Sequence, residues 1–297
     1  MKNYLLNELG FSSDSRVLLP NHDDLAMNYG ANMSFIELAR TGSVKSGSVM
    51  VPCPWFPHLA EIARKDRTLN IGVHLTLTSE WSNYRWRPLS ACDKTSGLID
   101  NDGYFWRNRG LLRKNLNTGA AELELRTQIN TALAAGIDVT HLDCHMGIGL
   151  LPELIHIYIK LGEDYQLPIL LPRNIEDSLS VFRMENIDLS FYTRIIHKLE
   201  QKNYPLVDYF KITPGFSSVN ARLGYEDLIS EIPKGITLLS LHPNIPGTIE
   251  FIDPDKFFWR TDEHKLFSNE FNSEWAGRHN IKTISFRQIR DVLRKDF

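Results

Sequence analysis

Leu18-Leu19-Pro20-Asn21-His22-Asp23-Asp24 is the stretch from which the architecture is read. The apolar run over 17–19 predicts a buried strand, and polar side chains gather where that strand should end. Two adjacent carboxylates repel each other unless a cation or a shared proton offsets the charge. Asp23 and Asp24 therefore point first to a metal site. Other apolar runs close in the same manner. Ile71-Gly72-Val73-His74-Leu75-Thr76-Leu77 carries one histidine, and Ile137-Asp138-Val139-Thr140 leads into His141-Leu142-Asp143-Cys144-His145. A late run, Leu238-Leu239-Ser240-Leu241, ends at His242-Pro243, where the proline biases His242 towards an extended backbone.

Segments of helical period separate these runs. Strands are expected at 17–19, 46–51, 69–75, 139–142, 168–171, 206–212 and 236–241. Helices are expected at 28–40, 57–65, 122–135, 151–161, 192–201, 226–231, 263–278 and 286–295, with Gly42 and Gly136 as stop signals. Repeated strand-then-helix order implies a parallel sheet that is closed or nearly so. The expected fold is an α/β barrel, a distorted or incomplete TIM-like (β/α) barrel forming one domain over 1–297. The connections over 79–110 and 173–188 exceed ordinary βα loops and are candidate lids or substrate loops. Trp81, Tyr84, Trp86, Tyr104, Phe105 and Trp106 crowd the first, either to stack on sugar faces or to tie the loop to the barrel.

Composition narrows the function. With 42% hydrophobic and 23% charged residues among 297, the chain can build a sizeable core. A net charge of −3 without a long basic run lacks the electrostatic footprint of nucleic-acid binding, so a small or neutral substrate is expected. Cys53, Cys92 and Cys144 are odd in number and form no Cys-x-x-Cys pair, which argues against a disulfide framework and for a reducing compartment. No apolar run reaches the ~20 residues of a membrane span, and the N-terminal segment lacks a signal-peptide core. We expect a cytoplasmic protein, with a homodimer as the default assembly.

In a barrel of parallel strands, Asp23, Asp24, His74, Asp143, His145 and His242 would share the C-terminal rim. They contain an Asp, His, His set able to give a divalent cation three ligands with room for water. The two aspartates point apart on extended backbone. One can then hold the metal while the other takes a proton from water acidified there. His242 suits a general acid. Arg173 is read either as orienting Asp23 or binding a substrate oxygen, or as a loop salt bridge. Cys144 is expected as a packing thiol, and His58, His156, His197, His264 and His279 as surface or packing residues on helices.

Four blocks in order resemble the YdjC-like carbohydrate deacetylase family, related to the polysaccharide deacetylases. They are Asn21-His22-Asp23-Asp24-Leu25, Gly72-Val73-His74-Leu75-Thr76-Leu77, Thr140-His141-Leu142-Asp143-Cys144-His145 and Leu241-His242-Pro243. The resemblance implies that Asp24, His74 and His145 bind the metal, that Asp23 is the general base and that His242 is the general acid. It also implies that Asn21, His141 and Asp143 support the ligands or the substrate. The ion would be zinc or magnesium, with manganese, cobalt and nickel as further candidates. The reaction would release acetate from an N-acetylated, chitooligosaccharide-like carbohydrate. Leu25-Ala26 replaces the family's Phe-Gly, and Met146-Gly147-Ile148-Gly149 replaces further histidines, which leaves the acetylated sugar open. Two other readings stand beside this one: a metal-dependent phosphoester hydrolase on the same rim, and a carbohydrate-binding or sensor protein without turnover.

Overall fold

A computed structural model of the chain describes residues 4–90, 93–181, 188–269 and 275–296; Cys92 and the middle of the helix expected over 263–278 lie outside them. Seven strands appear: β1 (Arg16–Leu25), β2 (Ser46–Val49), β3 (Ile71–Leu75), β4 (Val139–Cys144), β5 (Tyr209–Ile212), β6 (Gly235–Leu241) and β7 (Lys282–Thr283). All pairings are parallel, in the order β4-β3-β2-β1-β6-β5, with β7 against the start of β1.

Backbone hydrogen bonds carry the sheet round towards closure. Leu142 N donates to Pro168 O and Leu170 N to Leu142 O, both at 2.9 Å. On the other side of this segment, Arg173 N and Asn174 N donate to Val207 O and Asp208 O, at 2.9 and 3.0 Å, next to β5. The strand expected at 168–171 is thus a single Leu142–Ile169 bridge at the seam of a barrel-like fold. Pro168 and Pro172 supply no N–H there, which limits pairing.

Alternation along each strand separates two environments. Leu18, Leu25, Val49, Ile71, Val73, Leu75, Leu142, Leu239 and Leu241 face outwards into the core beneath the helices. The helix Tyr29–Thr41 sits close on this face because Gly47 has no side chain: a Cβ there would meet the Phe35 ring at 2.8 Å. Asn28 caps that helix by accepting from Ala31 N at 2.8 Å, and Gly42 ends it in the left-handed conformation.

Inside the barrel, Val17 and Leu19 of β1 and Ile236 and Leu238 of β6 join Leu5, Leu6, Phe210, Phe286, Ile289 and Val292 in an apolar floor. The C-terminal helix Phe286–Leu293 plugs this end, started by a Ser285–Gln288 capping box. Arg287 and Arg290 reach Asp138 before β4 and fasten the plug.

β1 runs six residues beyond its expected end. Asn21 and His22 pair with Ser240 and Leu241 of β6, so the acid pair lies within a central strand. The strand continues because its polar inner side chains find buried partners on β2, β4 and β6. A register shift between His22 and Leu25 then bends the chain, with Asp24 at φ 60° and Ala26 at φ 69°. The left-handed backbone at Ala26 suits glycine better and costs about 1–2 kcal/mol in an alanine. Asn32 Oδ1, accepting from Ala26 N at 2.7 Å, helps hold it. No helix among the described residues is long and apolar enough to cross a membrane.

Candidate metal centre

Above the apolar floor, the inner side chains turn polar within one residue pair of each strand. Gly72 of β3 makes room for the His141 ring, which a Cβ at that position would meet at 2.4 Å. His141 stacks on Phe286 with centroids 3.6 Å apart, joining the floor to the polar layer. Above it, Asn21 Nδ2 donates to Asp23 Oδ1 at 2.7 Å and to Asp143 Oδ2 at 3.1 Å. Ser48 Oγ donates to Asp143 Oδ2 at 2.7 Å, and Ser240 Oγ donates to Asp23 Oδ2 at 2.6 Å.

The upper tier holds the donors. Asp143 Oδ1 lies 2.8 Å from His74 Nδ1, so a proton held there leaves Nε2 free to bind a cation. His74 Nε2 is 3.5 Å from Asp24 Oδ1, and His145 Nδ1 is 3.1 Å from the same oxygen. Asp24, His74 and His145 are all buried, and their ligand atoms lie within 4.8 Å of one another. The other oxygen of Asp24 faces Arg260 Nη1 at 3.1 Å and His242 Nε2 at 4.0 Å. His145 Nε2 meets Glu80 Oε2 at 2.9 Å, and Trp86 packs its ring edge-on to the imidazole with centroids 6.0 Å apart. Asp23, Asp24, His145, Met146, His242 and Arg260 are among the residues around a cavity of about 360 Å³.

Carboxylates and imidazoles perturb one another strongly at this point. Burial opposes charge on His145, yet Glu80 and Asp24 push it up to about 10. Burial likewise opposes the charged form of Asp24, but His145, His242 and Arg260 outweigh it and hold the carboxyl well below its usual range. Burial and the adjacent Asp143 push Asp23 up to about 7, against the pull of His74. Asp143 itself stays low because His74 and His141 overcome its burial. One carboxylate with two imidazoles, each imidazole backed by a second carboxylate, is a donor set that fits a divalent ion.

A profile of YdjC-like proteins matches residues 17–276. The chain belongs to the YdjC-like family. Among its relatives is the carbohydrate deacetylase of Thermus thermophilus, 30% identical over 289 residues, covering 97% of this chain and 99% of that protein. Carbohydrate deacetylase 1 of Listeria innocua is 33% identical over 277 residues, covering 91% and 98%. A crystal structure from Enterococcus faecalis V583, described as a proposed cellobiose-phosphate cleavage protein, superposes with a TM-score of 0.72 at 22% identity. It covers 93% of this chain and 99% of its own, and shows the shared fold.

In this YdjC-like chain the first three sequence blocks and His242 converge on one rim. Arg173 does not join them. It pairs with Glu200 at 3.4 Å and Asp208 at 3.7 Å beside the barrel seam, outside the residues that line the cavity, so it is the loop salt bridge and orients no part of Asp23. Cys144 turns its sulfur towards Gly149 and Tyr158, as a packing thiol would. Four of the six aromatics of the long loop tie it down: Trp86 and Trp106 donate their indole N–H groups at 2.8 Å to Thr78 O and Gly97 O, Tyr84 donates its hydroxyl to Met27 O, and Phe105 is buried.

Sequence reading missed Glu80, Arg260 and Glu263. Glu263 is wholly buried and pushed up to about 7 by that burial. It accepts from His242 N at 2.6 Å and Tyr225 Oη at 2.7 Å, and also from Thr213 Oγ1. Arg260 lay ahead of the helix expected at 263–278, whereas the observed helix spans Phe257–Asn269 and carries it inwards. A Trp-Arg pair followed by a core-spaced glutamate was the available signal.

Proposed function

We propose that this chain is a metal-dependent carbohydrate deacetylase, cleaving an N-acetyl group with Asp23 as base and His242 as acid. The observation that carries the reading is the division of the acid pair: Asp24 groups with both His74 and His145, while Asp23, held by Asn21 and Ser240, groups with His74 and Asp143. A divalent cation held by Asp24, His74 and His145 would supply Lewis-acid polarisation and acidify a water. Zinc suits the mixed donor set, with magnesium, manganese, cobalt and nickel as the alternatives. The names of the Thermus and Listeria relatives support the substrate class.

Asp23, raised towards neutrality, is suited to accept the proton of the attacking water. Attack of water on the acetyl carbon forms the new C–O bond, and the C–N bond breaks as the resulting tetrahedral carbon collapses to acetate, once the nitrogen has gained a proton. His242 sits on the opposite side of Asp24, its ring against Trp259 with centroids 5.2 Å apart. Burial and positive Arg260 hold the resting imidazole neutral, down at about 3. Negative charge developing on the acetyl oxygen raises it, so that it takes up a proton from solvent in the cavity and passes it to nitrogen, while Asp23 gives the proton it took from water back to solvent as acetate leaves. Leu170, Ile212 and Met146 give the cavity an apolar wall suited to an acetyl methyl.

The test is acetate release from N-acetylated mono- and oligosaccharides by metal-stripped protein, with zinc, magnesium, manganese, cobalt or nickel restored singly. Metal-dependent acetate release is expected. Phosphate release from sugar phosphates, or saturable sugar binding without product, would replace the reading by a phosphoesterase or a binder respectively.

A further inference from the structure

We propose that Arg260 is a positioning residue that makes Asp24 a one-oxygen ligand. By holding Oδ2, it leaves only Oδ1 to a divalent cation and keeps further coordination positions open for water and substrate. The inference rests on the reading of Asp24, His74 and His145 as a cation site.

The two oxygens of Asp24 have different surroundings. Oδ1 lies 3.1 Å from His145 Nδ1 and 3.5 Å from His74 Nε2, whereas Oδ2 lies 3.1 Å from Arg260 Nη1. A carboxylate oxygen gripped by a guanidinium has one lone pair and its orientation committed, which disfavours turning both oxygens onto one ion. Arg260 is itself fixed. It is 6% exposed, with its guanidinium 4.9 Å from the Trp259 ring centroid and 6.0 Å from that of Trp81. Its carbonyl accepts from Asn244 N at 3.0 Å, locking the helix to the loop that follows His242. A delocalised, weakly hydrated cation near indole rings keeps its direction better than a lysine ammonium could.

Ligand number decides which ions a site accepts. Magnesium demands octahedral oxygen coordination, while zinc is content with four donors. Freeing Oδ2 would add a donor and move the site away from zinc.

The experiment titrates cobalt(II) into metal-stripped wild type, R260M and R260K, reading visible absorption, with zinc and magnesium affinities from competition and fold from circular dichroism. Wild type should give the stronger band of a low-coordinate ion. In R260M the band should weaken severalfold, and the zinc-over-magnesium preference should drop about 10-fold, within the range of changes that outer ligand contacts produce. R260K, which keeps a cation near Oδ2 but holds its direction less well, should shift less than R260M. A folded R260M with the wild-type spectrum overturns the proposal, as does an equal change in both variants, which would mark a packing role. Should R260M fail to fold, X-ray absorption on zinc-loaded wild type decides instead: a zinc–carbon distance typical of two-oxygen carboxylate binding overturns it, and a one-oxygen distance supports it. Absence of cobalt binding by wild type would overturn the cation site itself, and with it this inference.

Discussion

The two ends of the barrel interior are built from the same strands yet obey opposite rules. At the floor, Val17, Leu19, Ile236 and Leu238 meet the C-terminal helix in a wholly apolar cluster. Two positions further along, Asn21 and Ser240 occupy the same inner faces of β1 and β6, with Asp23 two positions beyond Asn21. The floor stabilises by removing apolar surface from water, without directional demands. The rim buries carboxylates and imidazoles that are tolerable only when each is hydrogen-bonded or paired. Stability and chemistry are thus separated along the barrel axis, and substitutions at the two ends should have separable effects.

The largest effect should come from the rim. Asp23→Asn keeps the shape of the side chain but removes the base, so turnover should fall about 10²–10⁴-fold. Metal content and the unfolding midpoint should stay near wild type. A variant that retains full acetate release would remove Asp23 from the mechanism, and one that unfolds would break the separation of the two ends.

Leu238→Ala is the converse test at the floor. Leu238 is fully buried, and truncation should cost about 2–5 kcal/mol, read as a lower urea midpoint. Specific activity of the folded fraction should be unchanged. A drop in kcat without a drop in stability would show that the floor tunes the rim.

The smallest effect concerns the latch beneath the floor. Burial would raise Asp138, but Arg290 and Arg287 outweigh it and hold its carboxyl below the ordinary value. A depressed folded value contributes stability above the unfolded value, ~3.9 for an aspartate, and that contribution is lost as pH falls through the folded value. Asp138 is partly exposed, so solvent screening keeps the gain small. Wild type should exceed Asp138→Asn in urea midpoint by a constant small margin above about pH 5, with the margin closing below about pH 4. A margin that persists unchanged at lower pH would show that the ion pairs do not contribute.

Much of this was legible in the chain because local sequence carries period and strand termini. The runs ending at Asp24, His74, His145 and His242 were placed on one rim by a single assumption, parallel strands closing towards a barrel. The extension of β1 through Leu25 was not legible, since Asn21-His22-Asp23-Asp24 reads as a polar loop until partners on β2, β4 and β6 are supplied. The same limit hid Arg260. Its 236-residue separation from Asp24 leaves no local trace of the contact. Arg173 failed in the opposite direction, because proximity to a strand end does not reveal which neighbour a long side chain will reach.

By itself the sequence determined most of the alternation of strands and helices, the parallel architecture, the four ordered blocks and the chemical types of the candidate ligands. These follow from periodicity and from residue identities that no partner can alter. Tertiary structure alone decided that one oxygen of Asp24 meets His145, that its second oxygen goes to Arg260, and that His242 rests on Glu263. Each depends on a bend in the backbone or on a side chain more than twenty residues away, and such distances are fixed only when the barrel closes.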